Sequence, residues 1–339
     1  IDLDQMTLDG LGGTSLARLA EQMGAALDGV PSSALRDSLK IKPDRSHYAS
    51  ARFEEEHDRG ELLVAVIMRA FLTTWLNRLQ PHREGQPAGL HAGIVAEEGA
   101  TAARQLLRIC IRALDYLPPV DLTYPDYVSA LLTADMQLYP DDDKYHYRKV
   151  LKETFAAYGI DPASHDRSDG AWNPPCEDDF SMVGVHFERM QRDPTEVFRF
   201  IWENRDPLSI ERNAFTRVTS VRPVVRVSND RTILRETVVE YVQTLKVWSS
   251  QLAGLGIEKP KGMRSNRLIT LYGGGSLIFN EFGRLKFHVG TGVRSEKQSA
   301  RLKSLWDRGQ FQAKDTSALV ARMHRNRVLR PVRSVEEGW

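Results

Sequence analysis

The stretch FEEEHDRGELLVAVIMRAF, residues 53 to 71, sets three glutamates, a histidine and an aspartate directly in front of an apolar run. Acids in a first helical turn complement the positive end of the helix macrodipole, which accounts for Glu54, Glu55 and Glu56 without any chemistry. His57 is a different matter. An imidazole at that end is discouraged from taking a proton, and a neutral ring can donate a hydrogen bond to an oxygen that turns negative during a reaction. Gly60, one turn further on, would admit the close approach of a substrate or of another backbone.

Other chemistries fare worse. A zinc hydrolase built on one helix needs two histidines a turn apart with a glutamate between them to take a proton from bound water. The nine histidines (His47, His57, His82, His91, His146, His165, His186, His288 and His324) never fall three or four apart, and HExxH is absent. His57 and Glu61 share a helix face, which reads as a surface pair sooner than as metal ligands. Gly273-Gly274-Gly275 is followed by a strand-like SLIF, whereas a phosphate cradle leads into a helix and carries a lysine. A bulge or a tight sheet turn is expected there. Residues 139 to 147, YPDDDKYHY, are acidic but lack the alternating ligands, central glycine and closing glutamate of a calcium loop, so a helix-capping turn is expected. Cys110 lies in an apolar helical pattern and Cys176 follows Pro174-Pro175, which supports neither a disulfide framework nor a cysteine zinc site and fits a reducing compartment. No nucleophile elbow or dinucleotide fingerprint occurs.

These residues must be positioned by something, and hydrophobic periodicity says what. Leu16, Leu19, Met23 and Leu27 predict an amphipathic helix over 13–29, with a short helix following at about 32–39. From His57 to Leu79 the pattern is apolar nearly all round, which predicts a central buried helix. A long helix is expected from Gly89 to Leu117, stopped by Pro118-Pro119, then two more at Tyr124–Tyr139 and about Tyr145–Tyr158, the last closed by Gly159. Residues 162 to 180 are rich in Pro, Gly, Ser and Asp and read as a linker or long surface loop. Beyond it a helix near Pro194–Asn204 leads into an alternating strand pattern from Phe215, with Pro223 favouring an edge or a bulge. A helix from about Thr232 to Leu252 is expected next, then two or three strands with a turn at Asn280–Gly283, a helix near Ser295–Asp307 and a basic tail from Phe311.

With 339 residues and 41% hydrophobic content, the chain is long enough for two domains with substantial cores. Its longest uninterrupted apolar run, Leu62 to Met68, is far below a bilayer span, and no charged-then-apolar leader opens it, so a cytoplasmic protein with no membrane partner is expected. The net charge of +1 hides an asymmetry: residues 1–180 hold 18 Lys or Arg against 29 Asp or Glu, and residues 181–339 hold 28 against 16. Two mutually attracting surfaces explain this, and a basic face for nucleic acid is the alternative.

Four stretches together carry a resemblance: LARLAEQMGAAL at 16–27, EEHDRGELLVAVIMRAFLTTW at 55–75, LLRICIRALDYLPPVDLTYPDYVSALLTADMQLYPDD at 106–142 and GGGSLIFNEFGRLKFHV at 273–289. They resemble the C-terminal part of bacterial gluzincin metallopeptidase-like proteins, distant relatives of thermolysin and fungalysin. The likeness covers most of residues 13–160 and is thinner beyond. It implies a mainly α, thermolysin-like C-terminal helical lobe at 1–160, a linker with connecting helices at 161–215, a small α+β domain at 216–310 and the basic tail at 311–339. It also implies peptide-bond hydrolysis by zinc-activated water. His57 takes the place of the histidine that stabilises the oxyanion, and Glu56 is the candidate orienting partner, with Glu54 and Glu55 open. The zinc ligands are missing from these residues and are expected in an N-terminal HExxH-containing part of the same protein, so the chain alone would not hydrolyse a protein or peptide substrate. A non-catalytic protein- or nucleic-acid-binding module on a peptidase-like scaffold is the alternative.

Overall fold

The computed structural model describes residues 38, 40–53, 56–83, 90–141, 144–164, 167–227, 233–307 and 309. The chain divides into two units: Ile1–Leu114 with Tyr124–Trp172, and Asp115–Thr123 with Asn173–Trp339. The helix expected at 13–29, most of that at 32–39, and the tail lie outside the described residues.

The first unit is a ring of four helices. The near-continuous apolar pattern after His57 becomes α1, Glu56–Arg83, and the following helices are α2, Ala92–Ala113, α3, Tyr124–Leu138, and α4, Tyr147–Ala157. Helix α1 packs on α2 and α4, and α3 closes the ring by packing on the same two. Leu62 and Val66 of α1, Ile109 of α2, Leu131 and Leu132 of α3 and Phe155 of α4 are fully buried between them. Gly99 lets α1 and α2 approach, since a Cβ there would stand 2.7 Å from the Trp75 ring. By length and composition α1 could cross a membrane, but half of its apolar window is buried inside the fold, as in a core helix.

Helix α4 stops at Gly159, whose φ of +81° supports a Schellman closure: Ile160 N–H donates to Phe155 O and Gly159 N–H to Ala156 O. The chain then runs back along α3, with Ala163 N–H on Pro125 O, Ser164 N–H on Ser129 Oγ and Trp172 N–H on Thr133 Oγ1. The first part of the stretch read as a linker is therefore fastened to the bundle.

The second unit is built on a four-stranded antiparallel sheet in sequential order: β1, Phe215–Val227, β2, Ile233–Trp248, β3, Leu268–Asn280, and β4, Leu285–Thr291. One face is covered by the short helix α5, Phe187–Met190, and by α6, Pro194–Glu203, with Phe200 edge-on to Phe279 at 5.1 Å. Helix α6 starts on Asp193, whose carboxylate accepts from Thr195 N–H, with Pro194 in the first turn. Helix α7, Lys297–Asp307, closes the far end with Leu302 against Leu271 and Val293. The opposite face is covered by Asp115–Thr123: Tyr116 meets Phe287 edge-on at 5.2 Å, and Ser276 Oγ donates to Leu117 O.

Two expectations are corrected. The region from Thr232 to Leu252 is not a helix; it supplies β2, paired along its length with β1 and β3. Its neighbours Val238 and Val239 are both fully buried because both sheet faces are covered, so the period of two that marks a half-buried strand is erased. In consequence the fold is not mainly α. A helical unit and an antiparallel sheet unit make it α+β.

Candidate functional site at the head of the first helix

Glu56 and His57 open α1, so the sequence-derived candidates stand in its first turn; their side chains lie outside the described residues. What surrounds that turn is well defined. A 3-10 turn, Ala51–Phe53, leads into it, and Phe53 is buried. Arg59 reaches back to donate to Phe53 O, while its guanidinium carbon lies 4.8 Å from the centre of the Tyr48 ring and 5.7 Å from that of Tyr124. The two tyrosines stack at 6.1 Å, and Tyr124 Oη donates to Arg59 O at 2.7 Å. Burial raises the Tyr124 phenol above its usual range, against a weaker pull from Arg59, so it remains a protonated donor near neutral pH. A guanidinium, two stacked phenol rings and the start of a helix, with its positive dipole end, therefore meet at one end of α1. That arrangement stabilises negative charge on oxygen.

A Cβ on Gly60 would meet no atom within 4 Å, so open space lies beside its Cα and no described residue makes the close approach. His47, near in sequence, is structural: Nε2 donates to Lys42 O at 3.0 Å and its ring packs edge-on to Phe53. Among the described residues no group of three or more His, Cys, Asp or Glu is placed to hold a metal ion. The described residues therefore do not fit a zinc site.

Sequence reading missed Tyr48, Arg59 and Tyr124 as a set. Arg59 was visible beside His57, but the tyrosines lie in other elements and no local pattern links them. It also missed a Tyr–His pair in the sheet unit. Tyr241 of β2 stands opposite Gly275 of β3, which stands opposite Gly290 of β4. The Tyr241 ring crosses Gly275 to bring its hydroxyl within 3.0 Å of His288 Nε2. A Cβ on Gly275 would sit 2.9 Å from that hydroxyl, and one on Gly290 would sit 2.9 Å from His288 Nε2. Part of the triple-glycine motif is thus a floor under this pair, in the middle of a strand, with no helix to bind phosphate.

Burial lowers the His288 pKa to about 4 and raises that of Tyr241. Between the pKa of an unfolded histidine, about 6.5, and that value, the unfolded chain binds a proton that the folded chain refuses. The stability due to a neutral His288 is present in full above about pH 6.5 and falls as pH drops towards 4, by at most about 3 kcal/mol. Urea midpoints at pH 7 and pH 4.5 should show this loss in the parent and a smaller one in His288→Asn. Equal losses in both would assign the pH dependence to other groups.

No family model, curated protein or solved structure matches the chain.

Proposed function

We propose that this chain is the C-terminal portion of a cytoplasmic zinc-dependent metallopeptidase, in which His57 stabilises the oxyanion formed when a peptide bond is hydrolysed. The observation that supports this reading is the position of His57 in the first turn of a helix of the four-helix ring, a turn that also carries Arg59 against the Tyr48 and Tyr124 rings. The four stretches resembling gluzincins supply the reaction class.

In this reading α1 is the rigid mount. His57 supplies an imidazole N–H to the oxygen that gains charge, beside the positive end of the helix dipole. Glu56 or a neighbouring glutamate orients the ring. Arg59, held by Phe53 O and two aromatic faces, adds fixed positive charge without rearrangement during the reaction. Zinc binding falls to residues outside this chain, and the chain alone is inactive. The cytoplasmic assignment rests on two free thiols, Cys110 half-buried and Cys176 exposed.

The test is made on the full-length gene product. Elemental analysis should find about one zinc per molecule, with hydrolysis of dye-labelled casein. His57→Ala should lower kcat/KM on the order of 10²-fold while zinc content and the circular dichroism spectrum stay at parental values. A full-length protein without zinc or hydrolysis would overturn the peptidase reading and leave a non-catalytic scaffold. Parental turnover in His57→Ala would remove that histidine from the mechanism.

A further inference from the structure

We infer that one end of the sheet in the second unit binds single-stranded nucleic acid, with bases stacked on Phe215 and Trp248 and phosphates paired with the cations around them. Leu245 and Val247 of β2 belong to the core, so Lys246 and Trp248 project from the other sheet face. The register sets Phe215 of β1 opposite Thr244, Thr270 of β3 opposite Lys246, and Leu268 opposite Trp248. Residues paired across antiparallel strands share a face, and Arg217, two positions after Phe215, shares it too. The Asp115–Thr123 segment reaches along this face to Gly274, where an added Cβ would stand 3.3 Å from Pro119 Cγ. Beyond that row Phe215, Trp248 and Leu268 are 69%, 50% and 52% exposed. From Phe215 to Trp248 the strand spacings give about 14 Å, with Lys246 between them. Apolar residues scattered singly need no explanation, but rings gathered on one open sheet face mark a binding surface.

Charge selects the occupant. The connection from Ser249 to Arg267, which joins β2 to β3 at this end, holds Lys259, Lys261, Arg264 and Arg267 against one acid, Glu258. It is folded back on the strand ends, with Ser250 N–H on Ser265 O and Lys259 Nζ donating to Ser265 Oγ. Elsewhere on this unit cations are matched by acids: Arg212 by Asp206, Lys286 by Glu236, Arg294 by Glu211. Among the described residues no acid stands within ion-pair distance of Arg217, Lys246, Lys261 or Arg264, and the last three are exposed. Unmatched cations around exposed aromatic rings suit a ligand that is anionic along its length and carries flat unpaired rings. A single strand has both properties, whereas a duplex buries the faces of its bases. Stacking and phosphate pairing read neither base sequence nor sugar, so binding here has little sequence preference.

This binding is independent of the peptidase reading. Fluorescence anisotropy of a labelled 20-nucleotide oligothymidylate, titrated with the 339-residue chain in 50 mM NaCl, tests it. Trp248→Ala and Phe215→Ala should each weaken binding at least about fivefold at parental melting temperature, since both side chains are exposed. The triple variant Lys259→Ala, Lys261→Ala, Arg264→Ala should make the plot of log affinity against log salt shallower by about 2. Arg199→Ala removes a cation already paired with Glu196 and should leave affinity at the parental value. Absence of binding in the parent would overturn the inference, as would binding unaffected by Trp248→Ala and Phe215→Ala. Equal or tighter binding of the matching duplex would overturn it by showing charge alone at work. Equally tight binding of a labelled oligoglutamate, lost in Trp248→Ala, would overturn it in favour of an acidic protein partner.

Discussion

Replacing Arg148 by alanine is expected to lower the stability of the helical unit by about 2–3 kcal/mol, the cost of taking a charged hydrogen-bond partner from a buried carboxylate. Asp135, on the inner face of α3, is 0% exposed, and Arg148 Nε lies 3.1 Å from its Oδ2. The same guanidinium donates to Tyr139 O just past the end of α3, where the last carbonyls of a helix lack intrahelical partners. One side chain thus balances a buried charge and caps a helix across the α3–α4 connection. The pair is not thereby a large net gain, because burying both ions is costly. Two variants separate these effects. Arg148→Lys keeps the charge but loses the planar fork, and should fall between parent and alanine. The double variant Asp135→Leu, Arg148→Met should be more stable than Arg148→Ala alone. Urea unfolding monitored by fluorescence, with Trp75 and Trp172 as reporters in this unit, gives the comparison. A loss below about 1 kcal/mol in Arg148→Ala would show that the carboxylate does not depend on this arginine.

The second large effect is expected at Gly274. A methyl group there would stand 2.4 Å from Tyr241 O and 3.1 Å from Val242 Cα, both backbone atoms of the neighbouring strand. A clashing side chain could swing away, but β2 cannot, because it is paired on both sides along almost its whole length. Gly274→Ala should therefore cost about 3 kcal/mol, at the upper end of the penalty for overpacking. Gly254→Ala is the matched control: its Cβ would meet nothing within 4 Å, so it should fall within about 0.5 kcal/mol of the parent. If the two variants melted together, the close approach of β2 to β3 would not be the reason for glycine at this position.

How legible this fold is depends on the range of the forces that make each part. Helices α1 to α4 can be read because periodicity, proline stops and the Gly159 closure are local. The β3–β4 hairpin can be read for the same reason, as can Pro223 on the edge strand β1. Strand β2 defeats the method: with apolar residues needed on both faces, Leu234, Val238, Tyr241 and Leu245 fall at helical spacing. Its content of Thr and Val was the better signal. At the head of α1, His57 was visible through charge contrast, but the wall that gives its position chemical character joins Tyr48, Arg59 and Tyr124 from three elements. The Tyr241–His288 pair needed the sheet register, which glycine composition alone does not encode.

The nine residues Asp115–Thr123 have a further consequence. The polypeptide leaves the bundle after Leu114, contributes to the sheet unit, returns at Tyr124 and leaves again after Trp172. A nick at Asn173 therefore severs one of three crossings, and a fragment starting there lacks the Tyr116 ring and the Leu117 carbonyl that meet Phe287 and Ser276. During synthesis Leu117 is made 159 residues before Ser276, so the loop that joins them is long and the sheet is completed late. The two units are distinct in space but not separable in sequence, and no single boundary yields both of them whole.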